Sequence, residues 1–334
     1  MPEYDRMTTL DSIRKPVADE LEALAAEVDR TFAADGSPVG GMMRYALEGR
    51  GKAVRPLVVL LSASANSCSV ENRGRALMAA MLVEMIHVAS LVHDDVIDES
   101  QMRRGRPSVN ALWQSRNAVL AGDYMLARAV SAGLASGHYD IVRHVTDAIA
   151  TLCDGEVMQN LHASDGEASR DDYFAIIRKK TAALIAASAS AGAMAACAVP
   201  ERVEAMNRYG EALGMAFQIR DDILDYTGGL ENTGKPALND LREGKLTLPL
   251  IAVLERSDAS RRAELTELLG QSRDDESAAE RLRREVVRGG GIDEAVRVME
   301  DYRRAAEQEL AAAGESPAAA ALKELCSYAC ERER

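Results

Sequence analysis

Apolar residues recur at intervals of three and four along almost the whole chain, and no stretch bounded by turn residues alternates every second position. This spacing predicts a string of helices and an all-α fold. One largely apolar run, residues 76–92, reads as a buried helix that ends on a patch of carboxylates. Breaks between helices are expected at Asp35-Gly36-Ser37-Pro38, Arg104-Gly105-Arg106-Pro107, Ser164-Asp165-Gly166, Gly228-Gly229 through Lys235-Pro236, Gly270-Gln271-Ser272 and Gly289-Gly290-Gly291. None has the length or low complexity of a flexible linker, so residues 1–334 are expected to form a single domain. Residues 181–200 carry no charge and are long enough to cross a bilayer, but they are mostly Ala with Ser188, Ser190 and Gly192. A buried helix packed closely through small residues is expected there, with no membrane span. No helical repeat of fixed period is visible, yet the pattern Asp-Asp-x-x-Asp occurs twice.

Composition narrows the fold and the partners. A chain of 334 residues is long enough to bury a sizeable core. With aromatic residues at only 4%, that core must be filled by aliphatic side chains suited to helices, which excludes an all-β sandwich. A formal net charge of −13 argues against nucleic acid as a partner, because phosphate backbones are held by clustered Lys and Arg. The five cysteines lack metal-finger spacing and read as reduced thiols; Cys326 and Cys330 could share a helix face as packing residues. The start Met-Pro-Glu-Tyr-Asp-Arg lacks the basic head and apolar core of a secretory signal, so a cytoplasmic location is expected.

The repeated motif carries the chemistry. In Asp94-Asp95-Val96-Ile97-Asp98 the first and last carboxylates are four residues apart and share one helix face, with Asp95 beside them. Asp221-Asp222-Ile223-Leu224-Asp225 repeats that spacing at the end of a second nearly uncharged helix. One copy alone is usually a solvated face or a cap. Two copies point to a pair of facing patches that hold magnesium, a cation bound through a few carboxylates plus substrate phosphates. Basic residues lie close in sequence to both: Lys52 and Arg55 at a helix start, Arg103 and Arg104 after the first motif, Lys179 and Lys180 before the Ala-rich helix, and Lys235 and Lys245 after the second motif. His87 lies two turns before Asp94 on roughly the same face. A lone His on an apolar helix is most often a hydrogen-bonded core residue, and His93 is read in that way.

With these residues in hand, the chain resembles the trans-isoprenyl diphosphate synthases, also called the polyprenyl synthetase family. The specific stretches are Leu91-Val92-His93-Asp94-Asp95-Val96-Ile97-Asp98-Glu99-Ser100 running into Arg103-Arg104-Gly105-Arg106-Pro107, and Phe217-Gln218-Ile219-Arg220-Asp221-Asp222-Ile223-Leu224-Asp225. Leu120-Ala121-Gly122-Asp123-Tyr124, Gly234-Lys235-Pro236 and Asp240-Leu241-Arg242-Glu243-Gly244-Lys245 add to them. The resemblance implies one large helical bundle around a central apolar pocket, commonly a homodimer, that lengthens an allylic prenyl diphosphate with isopentenyl diphosphate. It implies that Asp94, Asp95, Asp98, Asp221, Asp222 and Asp225 ligate Mg2+ bridged to the allylic diphosphate. Arg103, Lys180, Thr181, Gln218, Lys235 and Lys245 would hold that diphosphate, while Lys52, Arg55, His87 and Arg104 would hold isopentenyl diphosphate. Ala53 departs from the pattern, since many relatives carry a second basic residue there.

The resemblance also implies that the product tail grows beside the first acidic helix and is stopped by bulky residues just before the motif. Those positions are Ala89 and Ser90, with Leu82 and Ile86 deeper on the stripe. At 1.5 Å of rise per residue Ala89 sits about 7–8 Å below Asp94, so a long product of hexaprenyl to decaprenyl length is expected. Geranylgeranyl or farnesyl diphosphate synthesis is the alternative. A terpene cyclase and a catalytically silent partner subunit are the more distant rivals. The former rarely needs the second diphosphate site of Lys52, Arg55 and Arg104, and the latter has no need of two intact acidic motifs.

Overall fold

The computed structural model of the chain describes residues 9–32, 36–49, 51–165, 169–228 and 238–332. The three- and four-residue spacing becomes helix throughout. In chain order the helices are α1 (Leu10–Arg14), α2 (Ala18–Phe32), α3 (Pro38–Glu48), α4 (Val54–Ala65), α5 (Arg73–Ile97), α6 (Val109–Ala135), α7 (Tyr139–Asp165), α8 (Arg170–Ile177) and α9 (Ala183–Ala195). They continue as α10 (Pro200–Thr227), α11 (Asn239–Arg242), α12 (Leu248–Arg256), α13 (Ala259–Gln271), α14 (Glu276–Arg288), α15 (Gly291–Glu309) and α16 (Pro317–Glu331). The sequence breaks act as caps. Ser37 accepts from the Gly40 amide with Pro38 in the first turn of α3, and Gly289 caps α14 ahead of Gly290 at φ 71°. One break hides a strand pair missed by the period-two search: Met102–Arg103 (β1) pairs antiparallel with Arg106–Pro107 (β2). Strands of two residues are too short to show alternation. Asp35, Gly166 and the loop carrying Lys235 lie outside the described residues.

Two compact units are present. The first comprises Met1–Ile149, Leu184–Gly210 and Glu309–Leu325. Here α5 packs along α6 and against α4. Leu82, Met85, Ile86 and Ala89 are all buried, each large aliphatic side chain contributing about 1.5–3 kcal/mol. By length and composition alone Val70–Ile97 and Val109–Ala135 are apolar enough to cross a bilayer. The first is mostly buried as a core helix. Helix α9, from the uncharged stretch, is buried along nearly its whole length. Its polar groups are satisfied locally: the Ser188 hydroxyl donates to the Leu184 carbonyl and that of Ser190 to Ala186, while Ser62 of α4 donates to the Ala189 carbonyl at 2.6 Å.

The second unit comprises Ala150–Ala183, Glu211–Gln308 and Cys326–Arg334. One apolar cluster joins Ile177, Met215, Ile219, Leu248, Ile251 and Val298, and another joins Tyr226, Leu250, Leu265, Leu268, Leu282 and Val286. Buried Cys330 belongs to the first of these, and its thiol is pushed up to about 12 by burial, as expected of a packing residue. Between α8 and α9 the chain makes a π-helical turn over Arg178–Ala182. Such single turns shift side-chain register and occur often where function requires it.

Small residues set how closely α9 approaches α4. A Cβ on Gly192 would lie 2.2 Å from the Val59 carbonyl oxygen, so nothing larger than hydrogen fits without separating the helices. Gly74, on the first turn of α5, has nothing within 4 Å of such an atom. Gly192→Ala is therefore expected to cost about 1–3 kcal/mol by overpacking, while Gly74→Ala should be neutral or stabilising by up to about 1 kcal/mol. Thermal unfolding of the two variants checks the contrast, and equal melting temperatures would contradict the packing.

Candidate active site

In the first unit, basic groups converge on a buried histidine. Arg55, in the first turn of α4, donates from Nη1 to His87 Nε2 of α5 at 2.9 Å. Burial first, and then the charges of Arg55, Arg104 and Arg103, holds His87 well below the usual imidazole range. The ring is therefore neutral, accepting at Nε2 and keeping a proton for donation at Nδ1. The β1–β2 hairpin supplies the other two cations. Its loop residues Arg104 and Gly105 have φ of 52° and 75°, the two positive values that a type I′ turn requires. Arg104 reaches back to donate to the Gly49 carbonyl at 3.1 Å, and its guanidinium sits where a Cβ on Gly51 would be, at 2.4 Å. Lys52 is exposed at the start of α4, whose N-cap Ala53 is left-handed at φ 49°.

The first acidic motif divides its work. Asp98 caps the end of α5, its amide donating to the Asp94 carbonyl at 2.8 Å, so the two carboxylates remain one turn apart. Asp94 is half-buried and Asp98 exposed. Asp95 points elsewhere: it is buried and accepts from Arg103 Nε at 2.7 Å. Placing all three carboxylates on one patch from spacing alone overlooked this, because residue i+1 on a helix is rotated about 100° from residue i.

In the second unit a cleft of about 150 Å3 lies among α7, α8, the π-helical turn, α10 and the segment after α11. Its wall is a hydrogen-bond chain. Thr181 Oγ1 donates to Gln218 Oε1 at 2.7 Å, Gln218 Nε2 donates to Asp222 Oδ1 at 2.9 Å, and the Tyr173 hydroxyl donates to Asp222 Oδ2 at 2.6 Å. Burial, and then the neighbouring Asp222, pushes the Tyr173 hydroxyl far above its ordinary range, so it stays a donor. Lys180 and Lys245 both line the cleft; Lys180 pairs with buried Glu156 at 2.5 Å and Lys245 with Glu243. Asp221 is 43% exposed and pairs with Arg332 at 2.6 Å. Both Asp225 oxygens accept backbone amides, from Asn239 at 3.0 Å and Asp240 at 3.1 Å. Tyr173 and Glu156 were not singled out from sequence. Tyr173 shares a helical register with Lys180, as do many residues that do nothing, while Glu156 lies on a different helix, α7, and meets Lys180 only through packing.

The donor set fits a hard divalent cation. Burial, followed by the Asp240 carboxylate, pushes Asp222 well above the usual carboxylate range, and Asp221 adds to the effect. Crowding of this kind is relieved by a cation. Among the described residues no three acidic or imidazole groups already cage a metal. Magnesium is commonly held by one or two carboxylates together with phosphate oxygens rather than by an all-protein cage.

Comparison with known proteins gives one answer. Residues 38–286 match the family described as polyprenyl synthetase. The chain is 36% identical over 288 residues to a short chain isoprenyl diphosphate synthase of Methanothermobacter thermautotrophicus, covering 85% of this chain and 87% of that protein. It is 35% identical over 271 residues to octaprenyl diphosphate synthase of Haemophilus influenzae, covering 81% of each. Among solved structures, the polyprenyl synthase of Caulobacter crescentus complexed with calcium and isoprenyl diphosphate superposes with a TM-score of 0.91 at 31% identity, covering 100% of both chains.

The environment of Asp222 has a consequence for stability. Its pKa is raised on folding, so this group favours the folded state below the unfolded pKa of about 3.9 and the contribution is lost as pH rises. In the presence of a chelator, Asp222→Asn should therefore melt above wild type at pH 8, with the gap narrowing toward pH 4. Scanning calorimetry across that range checks it, and a gap that widens on acidification would reverse the sign.

Proposed function

The chain belongs to the polyprenyl synthetase family, and on that premise we propose that it joins an allylic prenyl diphosphate to isopentenyl diphosphate, making a trans-polyprenyl diphosphate of hexaprenyl to decaprenyl length. The observation that carries this reading is the cationic cluster around His87. A chain with a net charge of −13 gathers Arg55, Arg103 and Arg104 about one neutral buried imidazole, an arrangement that calls for a polyanion. A separate group of Lys180, Thr181 and Gln218 lines the cleft of the second unit. Two anion subsites suit a two-substrate condensation better than a cyclase. Each compact unit is assembled from three stretches of chain, which favours one catalytic domain over residues 1–334.

In this reading Lys52, Arg55, His87 and Arg104 hold isopentenyl diphosphate, with His87 donating from Nδ1. Lys180, Thr181, Gln218 and Lys245, with Arg103 and Lys235, hold the allylic diphosphate. Asp94, Asp98, Asp221, Asp222 and Asp225 ligate magnesium, and Asp95 fixes Arg103. When bound, magnesium supplies positive charge that offsets the charge of the leaving diphosphate. The basic side chains neutralise the same group, so the allylic carbon–oxygen bond ionises to a delocalised cation in a water-poor pocket. The double bond of isopentenyl diphosphate attacks that cation, and the proton then lost goes to the departing diphosphate. We further propose a homodimer joined through α6, which exposes the large apolar side chains Leu112, Val119, Leu120 and Leu134.

Incubation of the pure protein with farnesyl diphosphate, labelled isopentenyl diphosphate and magnesium tests the reading: label should enter a longer prenyl chain. A cyclic hydrocarbon, or no turnover, would overturn it. Arg55→Ala should chiefly raise the KM for isopentenyl diphosphate, losing on the order of 1.5–3 kcal/mol for each charge-assisted bond. A selective effect on the allylic substrate would swap the two subsites.

Chain length turns on the buried stripe Leu82, Ile86 and Ala89 of α5. A Cβ on Gly133 of α6 would lie 3.7 Å from Leu82 Cδ2, so the deep end of this stripe faces α6. In this reading the small side chain of buried Ala89 leaves room for the growing tail in the upper part. Ala89→Phe is expected to shorten the product by several isoprene units without stopping turnover. Chromatography of the dephosphorylated products decides this, and an unchanged length distribution removes Ala89 from the tunnel wall.

A further inference from the structure

Arg332, beyond the end of α16, closes on the second acidic motif. Its Nη2 donates to Asp221 Oδ1 at 2.6 Å and to the Phe217 carbonyl at 3.1 Å. Its guanidinium carbon lies 3.7 Å from the centroid of the Phe217 ring. The backbone of the same residue is gripped from α10, because Arg220 donates through Nε at 3.0 Å and Nη2 at 2.8 Å to the Arg332 carbonyl. The stack and the carbonyl contacts hold Arg332 in place independently of its bond to Asp221. The Arg332 side chain is 9% exposed and its buried Nε has no hydrogen-bond partner among the described residues, so the guanidinium is not fully satisfied where it stands. Asp221 itself reaches solvent on its other side, at 43% exposure.

We propose that Arg332 is a positioning residue that serves as a resident counter-ion for Asp221, occupying this carboxylate while metal is absent and competing with the divalent cation for it. The inference rests on the reading of Asp221 as a magnesium ligand. A guanidinium within hydrogen-bond distance of a carboxylate oxygen lowers the charge that a divalent cation meets there and repels the cation directly. Metal occupancy at Asp221 then depends on the phosphate charge that arrives with substrate. Free magnesium alone is held weakly, and the motif is kept from carrying uncompensated charge between turnovers.

Arg332→Met keeps an unbranched apolar side chain over Phe217 and removes only the charge and its bonds. In the full-length chain, Mn(II) affinity measured by electron paramagnetic resonance, without added phosphate, should rise roughly two- to fivefold in this variant. The melting temperature in chelator should fall below wild type, with the deficit closing when Mn(II) is added. Arg332→Lys, which keeps the charge, should bind Mn(II) like wild type. Phe217→Leu loosens the guanidinium without touching charge and should shift affinity the same way as Arg332→Met by a smaller factor, which covers the case in which Arg332→Met misfolds by circular dichroism. With inorganic pyrophosphate present the difference between Arg332→Met and wild type should shrink. Mn(II) affinity that is unchanged or weaker in Arg332→Met, or in Phe217→Leu should the first not fold, overturns the proposal. Asp221→Asn separates the two layers: if it leaves Mn(II) binding with pyrophosphate unchanged, the ligand assignment itself fails, whereas a loss there combined with no effect of Arg332→Met sinks only the counter-ion role.

Discussion

The second unit depends on keeping the Asp222 carboxyl out of water. A carboxyl group in that position is costly unless its oxygens are satisfied, and both are, by the Tyr173 hydroxyl and the Gln218 amide. Each donor is fixed in turn. Tyr173 packs within the apolar cluster of α8, α10 and α12, and Gln218 is oriented by Thr181 from the π-helical turn. That turn also brings Lys180 to the cleft wall. Local register, core packing and site electrostatics thus meet at one acidic side chain, whose crowding by Asp240 and Asp221 is what a cation would relieve.

The first unit solves the opposite problem, which is how to gather positive charge in an acidic protein. A protonated imidazole beside three guanidinium groups would add to the repulsion. Burial and these neighbours keep His87 neutral, so it accepts from Arg55 at one nitrogen and retains a donor at the other. Arg103 is fixed by buried Asp95, and Arg104 is seated by the space that Gly51 leaves. The assembly carries local backbone strain. Ala53, Glu99 and Arg104 all have positive φ, near 50°, a conformation that disfavours residues with a Cβ. These positions flank Lys52 and the hairpin that presents the arginines. Strain at the entry to α4 and at the hairpin tip is therefore spent on aiming charged groups.

Much of this was legible from residue spacing. The helical string, the buried Ala-rich helix and the breaks at Ser37 and Gly289 follow from periodicity and small residues, whereas Arg55 and His87 were brought to one site only by the family resemblance. Spacing was less able to say what each carboxylate touches. Asp94 and Asp98 keep their shared face, whereas Asp95 turns inward to Arg103, Asp225 caps α11, and Asp221 meets a residue more than a hundred positions away. The hairpin that presents Arg103 and Arg104 escaped notice because two-residue strands show no alternation.

The division has a physical cause. A helix and its faces are decided by interactions within about four residues, so one sequence determines where α5 and α10 run and which of their positions are apolar. It also determines that two acidic motifs close those helices. The partners of a buried polar group are decided by whichever distant elements pack beside it, and side chains at unrelated positions in the chain compete for that place. Gln218 is one helical turn from Asp222 and lies within the reach of sequence, but only the tertiary structure could show that Tyr173 and Arg332 share the second acidic motif.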